Sequence, residues 1–391
     1  MTRPGFIAVV QRELAWLRAQ PWEQALLVWV PLVTMALMLG LFARGVPVGL
    51  PIALVDDDHS ALSRDLARRI AATRSVAISI QPESLAAAWP LVREREVYGV
   101  VHIPRHWERD RDRGLALPIV FYDNTLYYLV AGLIGGSVQS AVTSMDQERA
   151  VASEARFGGG FEAAAGRIGV ISADLRTLYN PSLSYEAYLA GMMLPAILHL
   201  FAVIAAVATL GREFRRRTVG DWLACSGGHL PTALAGKLAP TLTVYLLLSL
   251  LLLLTLAGWR GWSVAGSFVL WYASIALLML ASMTVALLFV GATGNLRAAL
   301  SVTGICIAAA LAYSGFSFPL VAMDAPARFW SSLLPFTHYL PLQQGQWQSG
   351  ASVSAWAHAM AILALFVVIP LALGGPLLAR HCRKPRKWGA L

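Results

Sequence analysis

The sequence predicts an α-helical polytopic membrane protein with six transmembrane helices and an inserted extracytoplasmic α/β domain, and three observations predict it. Of 391 residues, 57% are apolar and only 14% charged, where a soluble domain carries about 25% charged residues, and the mean hydropathy is +0.60. Six apolar runs, at 24–43, 187–210, 238–259, 266–293, 298–318 and 355–379, are each long enough to cross a bilayer. Between the first two lies a region, 44–185, where short apolar segments alternate with charged helical patterns.

Residues 1–23 read as an interfacial elbow. Over 5–20, Phe6, Val10, Leu14 and Leu17 share a helical face, with Arg3, Arg12, Glu13 and Arg18 away from it, the pattern of a helix lying in the membrane interface. Pro21-Trp22 breaks it, and the uncharged stretch 24–43 is the first span, its N-terminus in the cytosol. A signal peptide fits less well, because the polar lead is long and no small-residue cleavage site precedes Arg44.

In 44–185, Ile52–Val55, Val76–Ile80, Tyr98–Ile103 and Leu117–Tyr122 read as strands, with helices at 61–73 and 83–95. Strand–helix alternation predicts a small α/β domain. Its charges nearly balance, and a long loop can translocate regardless of charge. Residues 126–142 are apolar and contain Gly132-x-x-x-Gly136, a pattern of membrane-helix dimers. If they crossed, Arg212–Arg217 and the basic tail 380–391 would face outward, against the positive-inside rule. They are therefore read as the start of a long external helix, buried or dimer-facing, that runs to about Phe157 and ends at Gly158-Gly159-Gly160.

The remaining region, 186–379, holds five spans. Between the second and third lies 211–228, with Arg212, Arg215, Arg216 and Arg217 within six positions, a cluster expected on the cytoplasmic side. Glu213 precedes Arg216 and Arg217 at the spacing of helical ion pairs, Val219, Trp222 and Leu223 form one apolar face, and Gly227-Gly228 followed by Pro231 ends the helix. The stretch 212–228 thus reads as a small amphipathic helix held between two spans. Arg297 marks another cytoplasmic turn, and only Arg260 and Arg328 fall in the short outer loops. The outer loop 319–354 concentrates aromatics and carries Pro319, Pro326, Pro335 and Pro341, a pattern for short broken helices that re-enter the membrane.

Three segments carry a resemblance. Arg212, Glu213, Arg216 and Thr218, then Gly236-Lys237, are similar to the cytoplasmic coupling helix of ABC-2 transporter permeases, with Arg215, Arg217 and Gly220 departing from the pattern. Gln11-Arg12-Glu13-Leu14 followed by Pro21 resembles the N-terminal elbow of the same family. Ser314-Gly-Phe-Ser-Phe-Pro319 and Pro335-Phe-Thr-His-Tyr339 resemble its outer re-entrant segment. The resemblance implies a permease subunit of an ATP-binding cassette exporter in a bacterial inner membrane, multi-pass, both termini cytoplasmic. The implied substrate is hydrophobic or amphipathic: a drug, lipid or lipid-linked molecule. The implied partners are a separate ABC ATPase subunit that holds ATP and Mg, a second permease subunit, membrane lipid, and a periplasmic adaptor with an outer-membrane channel. The implied coupling residues are Arg212, Glu213, Arg216, Thr218, Trp222 and Lys237; the implied translocation path is His199, Ser314, Gly315, Phe316, Phe318, Pro319, His338 and Tyr339.

Chemistry of the chain's own is sparsely signalled, and no catalytic residue is assigned. Gly236-Lys237 is the only Gly-Lys pair; Leu238 follows it and Pro231 takes the first glycine position of a phosphate loop, so no ATP site is expected here. Cys225-Ser-Gly-Gly-His229 reads as a helix-ending turn. Asp56-Asp57-Asp58-His59 suits either a hard cation or a helix cap with Ser60. Pro104 spoils His102 and His106 as a helical zinc pair, and the three cysteines, Cys225, Cys306 and Cys382, give no disulfide framework or metal spacing. The net charge of +9 follows from topology and does not call for nucleic acid. His199, near mid-span, is either a functional group or a neutral imidazole bonded to a neighbouring helix. Two other functions remain open on the sequence: a non-transporting sensor or scaffold with an outer α/β domain, and a proton-driven transporter using His199.

Overall fold

The computed structural model describes residues 3–43, 47–113, 118–124, 127–157, 184, 186–385 and 388–389. The expected glycine stop at 158–160 lies outside them. The chain divides into two compact units, Arg44–Ala187, and Met1–Ala43 with Tyr188–Leu391.

The inserted unit is a sheet with helices on both faces. Its strands are β1 (Leu50–Asp56), β2 (Val76–Ile80), β3 (Gly99–Ile103) and β4 (Val120–Asp123), in the order β2-β1-β3-β4. β1 runs parallel to β2 and β3, and β4 runs antiparallel to β3. A central parallel strand is covered on both faces and so reads as a continuous apolar run: Ile52, Ala53, Leu54 and Val55 are all buried. Ile52, Leu54, Val101 and Ile103 pack with Leu62, Leu66 and Ile70 of the helix Ala61–Ala71. Ala53, Val55 and Val100 face Ala88 and Val97 on the other side. Ser60 and Ser84 cap their helices by accepting from Ser63 N and Ala87 N.

The apolar start of the region after β4 is one helix, Tyr128–Phe157. Ile134, Val138, Ala141 and Met145 recur at helical spacing and join the core against the sheet. That packing accounts for its apolar character, and this helix is not among the six long and apolar enough to cross a membrane.

Among the described residues, those six are Pro21–Leu41, Glu186–Arg216, Leu230–Trp259, Phe268–Thr293, Leu296–Tyr313 and Val353–Cys382. The fourth is the most buried and packs against the second, third, fifth and sixth. Its crossing with the sixth depends on two glycines. A Cβ on Gly291 would lie 2.6 Å from Gly374 O, and one on Gly374 would lie 2.8 Å from Leu288 backbone, so the helices touch backbone to backbone. The first, fifth and sixth are the least buried and carry exposed apolar side chains such as Trp29, Leu37, Ile305 and Val368. The molecule is a polytopic helical membrane protein with an inserted α/β domain.

Three sequence expectations need correction. The stretch 212–228 is not one helix. Arg212–Arg216 are the last turns of the second span's helix, Arg217 is left-handed at φ 61°, and a separate short helix covers Val219–Cys225. The fifth span stops at Tyr313 rather than 318, because a turn follows in which Gly315 takes φ +88°. Glu13, placed on the solvated face of the N-terminal helix Phe6–Ala19, is 2% exposed, whereas Phe6, Ile7 and Leu14 are open to the surroundings.

Candidate functional site

Glu13 is buried because it belongs to a cluster of six charges at one end of the spanning unit. The N-terminal helix contributes Arg12 and Glu13, and the first turn of the first span contributes Glu23. The end of the second span contributes Arg212 and Glu213, and the third span contributes Lys237. Arg12 donates both Nη groups to Glu213, at 2.9 and 3.0 Å. Lys237 Nζ donates to Glu213 Oε1 at 2.6 Å and Glu13 Oε2 at 2.8 Å. Arg212 donates to Glu13 Oε1 at 2.5 Å and also pairs with Glu23. Thr218 Oγ1 donates to Glu213 Oε2 at 2.5 Å.

Glu13, Arg212, Glu213 and Lys237 are each at most 3% exposed. Burying such charges is costly, and removing one partner strands another. The three cations and three carboxylates compensate one another, and aromatic faces complete the shell. The Arg212 and Arg216 guanidinium carbons lie 4.9 and 4.0 Å from the Trp16 ring centroid, and Lys237 Nζ lies 5.7 Å from that of Trp222. Burial works against the charge of Arg12, but its bonds to Glu213 outweigh that and raise its pKa.

Gly236 explains why the N-terminal helix can reach this cluster. A Cβ there would lie 2.8 Å from Val9 Cβ and 3.0 Å from Phe6 O, so only glycine admits the close approach. The Gly-Lys pair is therefore a packing position followed by a charge partner. The short helix is tied in as well. Gly5 N donates to Cys225 O at 2.9 Å, Trp222 Nε1 donates to Ala233 O at 3.2 Å, and Val219 and Trp222 are fully buried. Positive φ at Gly227 and Gly228, with Gly228 N donating to Leu223 O, ends it.

The six residues expected to couple thus divide. Arg212, Glu213, Lys237 and Trp222 are internal, Thr218 is half-buried against Glu213, and Arg216 is exposed over Trp16. The expected pairs from Glu213 to Arg216 and Arg217 give way to pairs with Arg12 and Lys237, which lie 201 and 24 positions away. The outward side of the short helix is Gly220, Asp221 and Ala224, with Arg215 and Arg217 beside it. The cluster also takes in Glu23 and Trp16, which the sequence reading does not single out. The signal for Glu23 and Trp16 was two more cluster-capable side chains on an elbow already rich in charge.

The residues expected along a path lie toward the opposite end and do not form one group. His199 is 1% exposed, and its Nδ1 lies 2.7 Å from Ser282 Oγ on the fourth span. Ser282 gives its own proton to Leu278 O, so His199 is the donor and Nε2 is left without a partner among the described residues. Phe336 lies parallel to the ring at 6.4 Å. The ring thus bonds a neighbouring helix, and among the described residues no carboxylate is bonded to it. Tyr339 is buried and donates to Gln343 Oε1 at 2.6 Å, and Gln343 Nε2 donates to Gly191 O at 2.6 Å. Ser314 bonds Leu311 O, Phe316 meets Tyr188 at 4.6 Å, Phe318 is exposed, and Pro319 precedes a single turn at Leu320–Ala322. His338 bonds Ser332 O at 3.0 Å. Gln343 and Gln346, both buried, were not anticipated.

In the inserted unit, the aspartates after β1 organise a turn. Asp56 accepts from Asp58 N, His59 N and Ser63 Oγ, Asp58 accepts from Glu108 N, and Asp57 meets His102 at 3.2 Å.

A family model for the ABC-2 family transporter protein matches residues 22–375. The chain belongs to the ABC-2 transporter family. It is therefore the membrane-spanning component of an ABC transporter, a multi-pass permease subunit. A search of curated proteins gave no match. For the permease, the matched region takes in Glu23, Arg212, Glu213 and Lys237 but begins after Arg12 and Glu13.

Proposed function

We propose that the permease exports a hydrophobic or amphipathic substrate from the cytoplasm or inner leaflet, driven by a separate ATPase subunit that holds ATP and Mg. The chain works as a pair of permease subunits in a bacterial inner membrane, with both termini and the short helix Val219–Cys225 in the cytosol. The ATPase grips the outward side of that helix, at Gly220, Asp221 and Ala224, flanked by Arg215 and Arg217. Arg212, Glu213, Thr218, Trp222 and Lys237 lie behind it and carry its displacement into the second and third spans. Coupling of this kind needs a packed element that both sites bias. The observation that supports the reading is the buried charge cluster, which joins the short helix, the N-terminal helix and three spans in one bonded unit. His199, Ser314, Gly315, Phe316, Phe318, Pro319, His338 and Tyr339 lie along the substrate's route in this proposal.

The test is affinity purification of the tagged chain from membranes of its own host. An ATPase subunit co-purifies with the wild type. Asp221→Arg, an exposed change, lowers its recovery at least fivefold without moving the permease's melting temperature. Equal recovery with both chains would overturn the docking surface, and a wild-type chain with no ATPase would overturn the exporter reading.

A further inference from the structure

The end of the spanning unit opposite the charge cluster carries a cavity of about 310 Å³, the low end for small-ligand sites. Its lining combines Arg328, Thr337 and His338 with an apolar wall that includes Leu320, Pro341 and Ile362. Arg328 is exposed on the helix Ala325–Ser332, and its side chain has no carboxylate partner among the described residues. His338 Nε2 is committed to Ser332 O, a group that can only accept. Nδ1 is then the ring's remaining hydrogen-bonding atom.

Apolar side chains next in sequence to the lining residues are open to the surroundings. Phe318, Val321, Phe329 and Leu333 are each more than half exposed, at 51, 89, 67 and 51%. Such exposure is costly in water and suits hydrocarbon. The depth agrees. The sixth span is 30 residues long, about 45 Å at 1.5 Å per residue, which matches a bilayer with its headgroups. Ile362 follows the helix start at Val353 by nine positions, about 14 Å along the axis. The headgroup layer at each end is about 7 Å deep, so Ile362 lies within the acyl layer.

We propose that this cavity is a binding site for an acidic phospholipid, with the phosphate on Arg328 and the acyl chain along Leu320, Pro341 and Ile362. A guanidinium with no carboxylate partner offers the forked donors that suit a phosphate, and net negative charge distinguishes the ligand from a zwitterionic lipid. The proposal does not depend on the transport reading.

Native mass spectrometry of the detergent-solubilised full chain, titrated with phosphatidylglycerol or phosphatidylcholine, tests it. Phosphatidylglycerol is retained at least fivefold better than phosphatidylcholine. Arg328→Gln removes that preference, and Ile362→Trp, which fills the apolar wall, lowers retention of both lipids. Both variants keep the wild-type melting temperature. Equal retention of the two lipids by the wild type, or an unchanged preference in Arg328→Gln, would overturn the proposal. So would displacement of phosphatidylglycerol by equimolar glycerol phosphate, which would make the ligand a soluble phosphate.

Discussion

The two ends of the spanning unit bury polar groups in opposite ways. At the end holding Lys237, the bonded groups are mainly charges, three cations and three carboxylates from the N-terminal helix and three spans, with Arg12 and Glu23 about a quarter exposed. At the other end they are amides and hydroxyls. Gln343 links Tyr339 to Gly191 O, Gln346 accepts from Ser267 N at 3.0 Å, and Ser331 donates to Tyr313 O at 2.6 Å. Trp262 and Trp347 stack beside them at 4.3 Å. A broken neutral bond leaves a dipole unsatisfied, whereas a broken ion pair leaves a charge in low dielectric. The charged end should be the stiffer and the less tolerant of substitution.

The largest effect that sharpens this contrast is at the charged end. Lys237→Met leaves Glu13 and Glu213 each short of a partner and should cost about 3–5 kcal/mol, as for other buried pairs broken on one side, read as a large fall in melting temperature. At the neutral end, Gln343→Leu should cost less, about 1–3 kcal/mol, the price of stranding Tyr339 OH and Gly191 O. A larger loss there than in Lys237→Met would break the comparison. Gly236→Ala should fall in the same range, about 1–3 kcal/mol, because the added methyl group pushes the N-terminal helix off the third span. Its diagnostic is faster proteolysis within Phe6–Ala19.

Much of this architecture could be read from hydropathy and charge. The spans stand out because about 20 consecutive apolar residues have few other uses. The helix Tyr128–Phe157 was read as non-crossing from the placement of arginines elsewhere in the chain. What could not be read is pairing. Glu13 shares a turn with Arg12 and looks like a surface residue by period, and nothing local shows that its partners are Arg212 and Lys237, 199 and 224 positions away. Gly236 similarly looks like one of 32 glycines until Val9 is seen against it. The stretch 212–228 reads as one helix because Arg212–Arg216 and Val219–Cys225 both favour helix; only the left-handed Arg217 divides them.

The smallest expected effect is in the inserted unit. Arg69 bridges Asp65 and Glu148 on its surface, and its hydrogen bonds lower both carboxyl pKa values. A lowered folded-state pKa stabilises above the unfolded-state value and loses that contribution as pH falls through the folded value. Arg69→Gln should therefore slightly increase hydrogen exchange in Ala61–Ala71 at neutral pH. The difference from wild type should vanish in acid, once both carboxyl groups are protonated.

A double-mutant cycle on Lys237→Met and Glu213→Gln, read as melting temperature in detergent, tests most directly whether the six charges act as one joint. Each change alone unbalances the cluster, and together they restore equal numbers of opposite charge. The account predicts that the double variant loses clearly less than the sum of the two single losses, with a coupling of about 1–3 kcal/mol. Additive losses, or single variants as stable as the wild type, would contradict it.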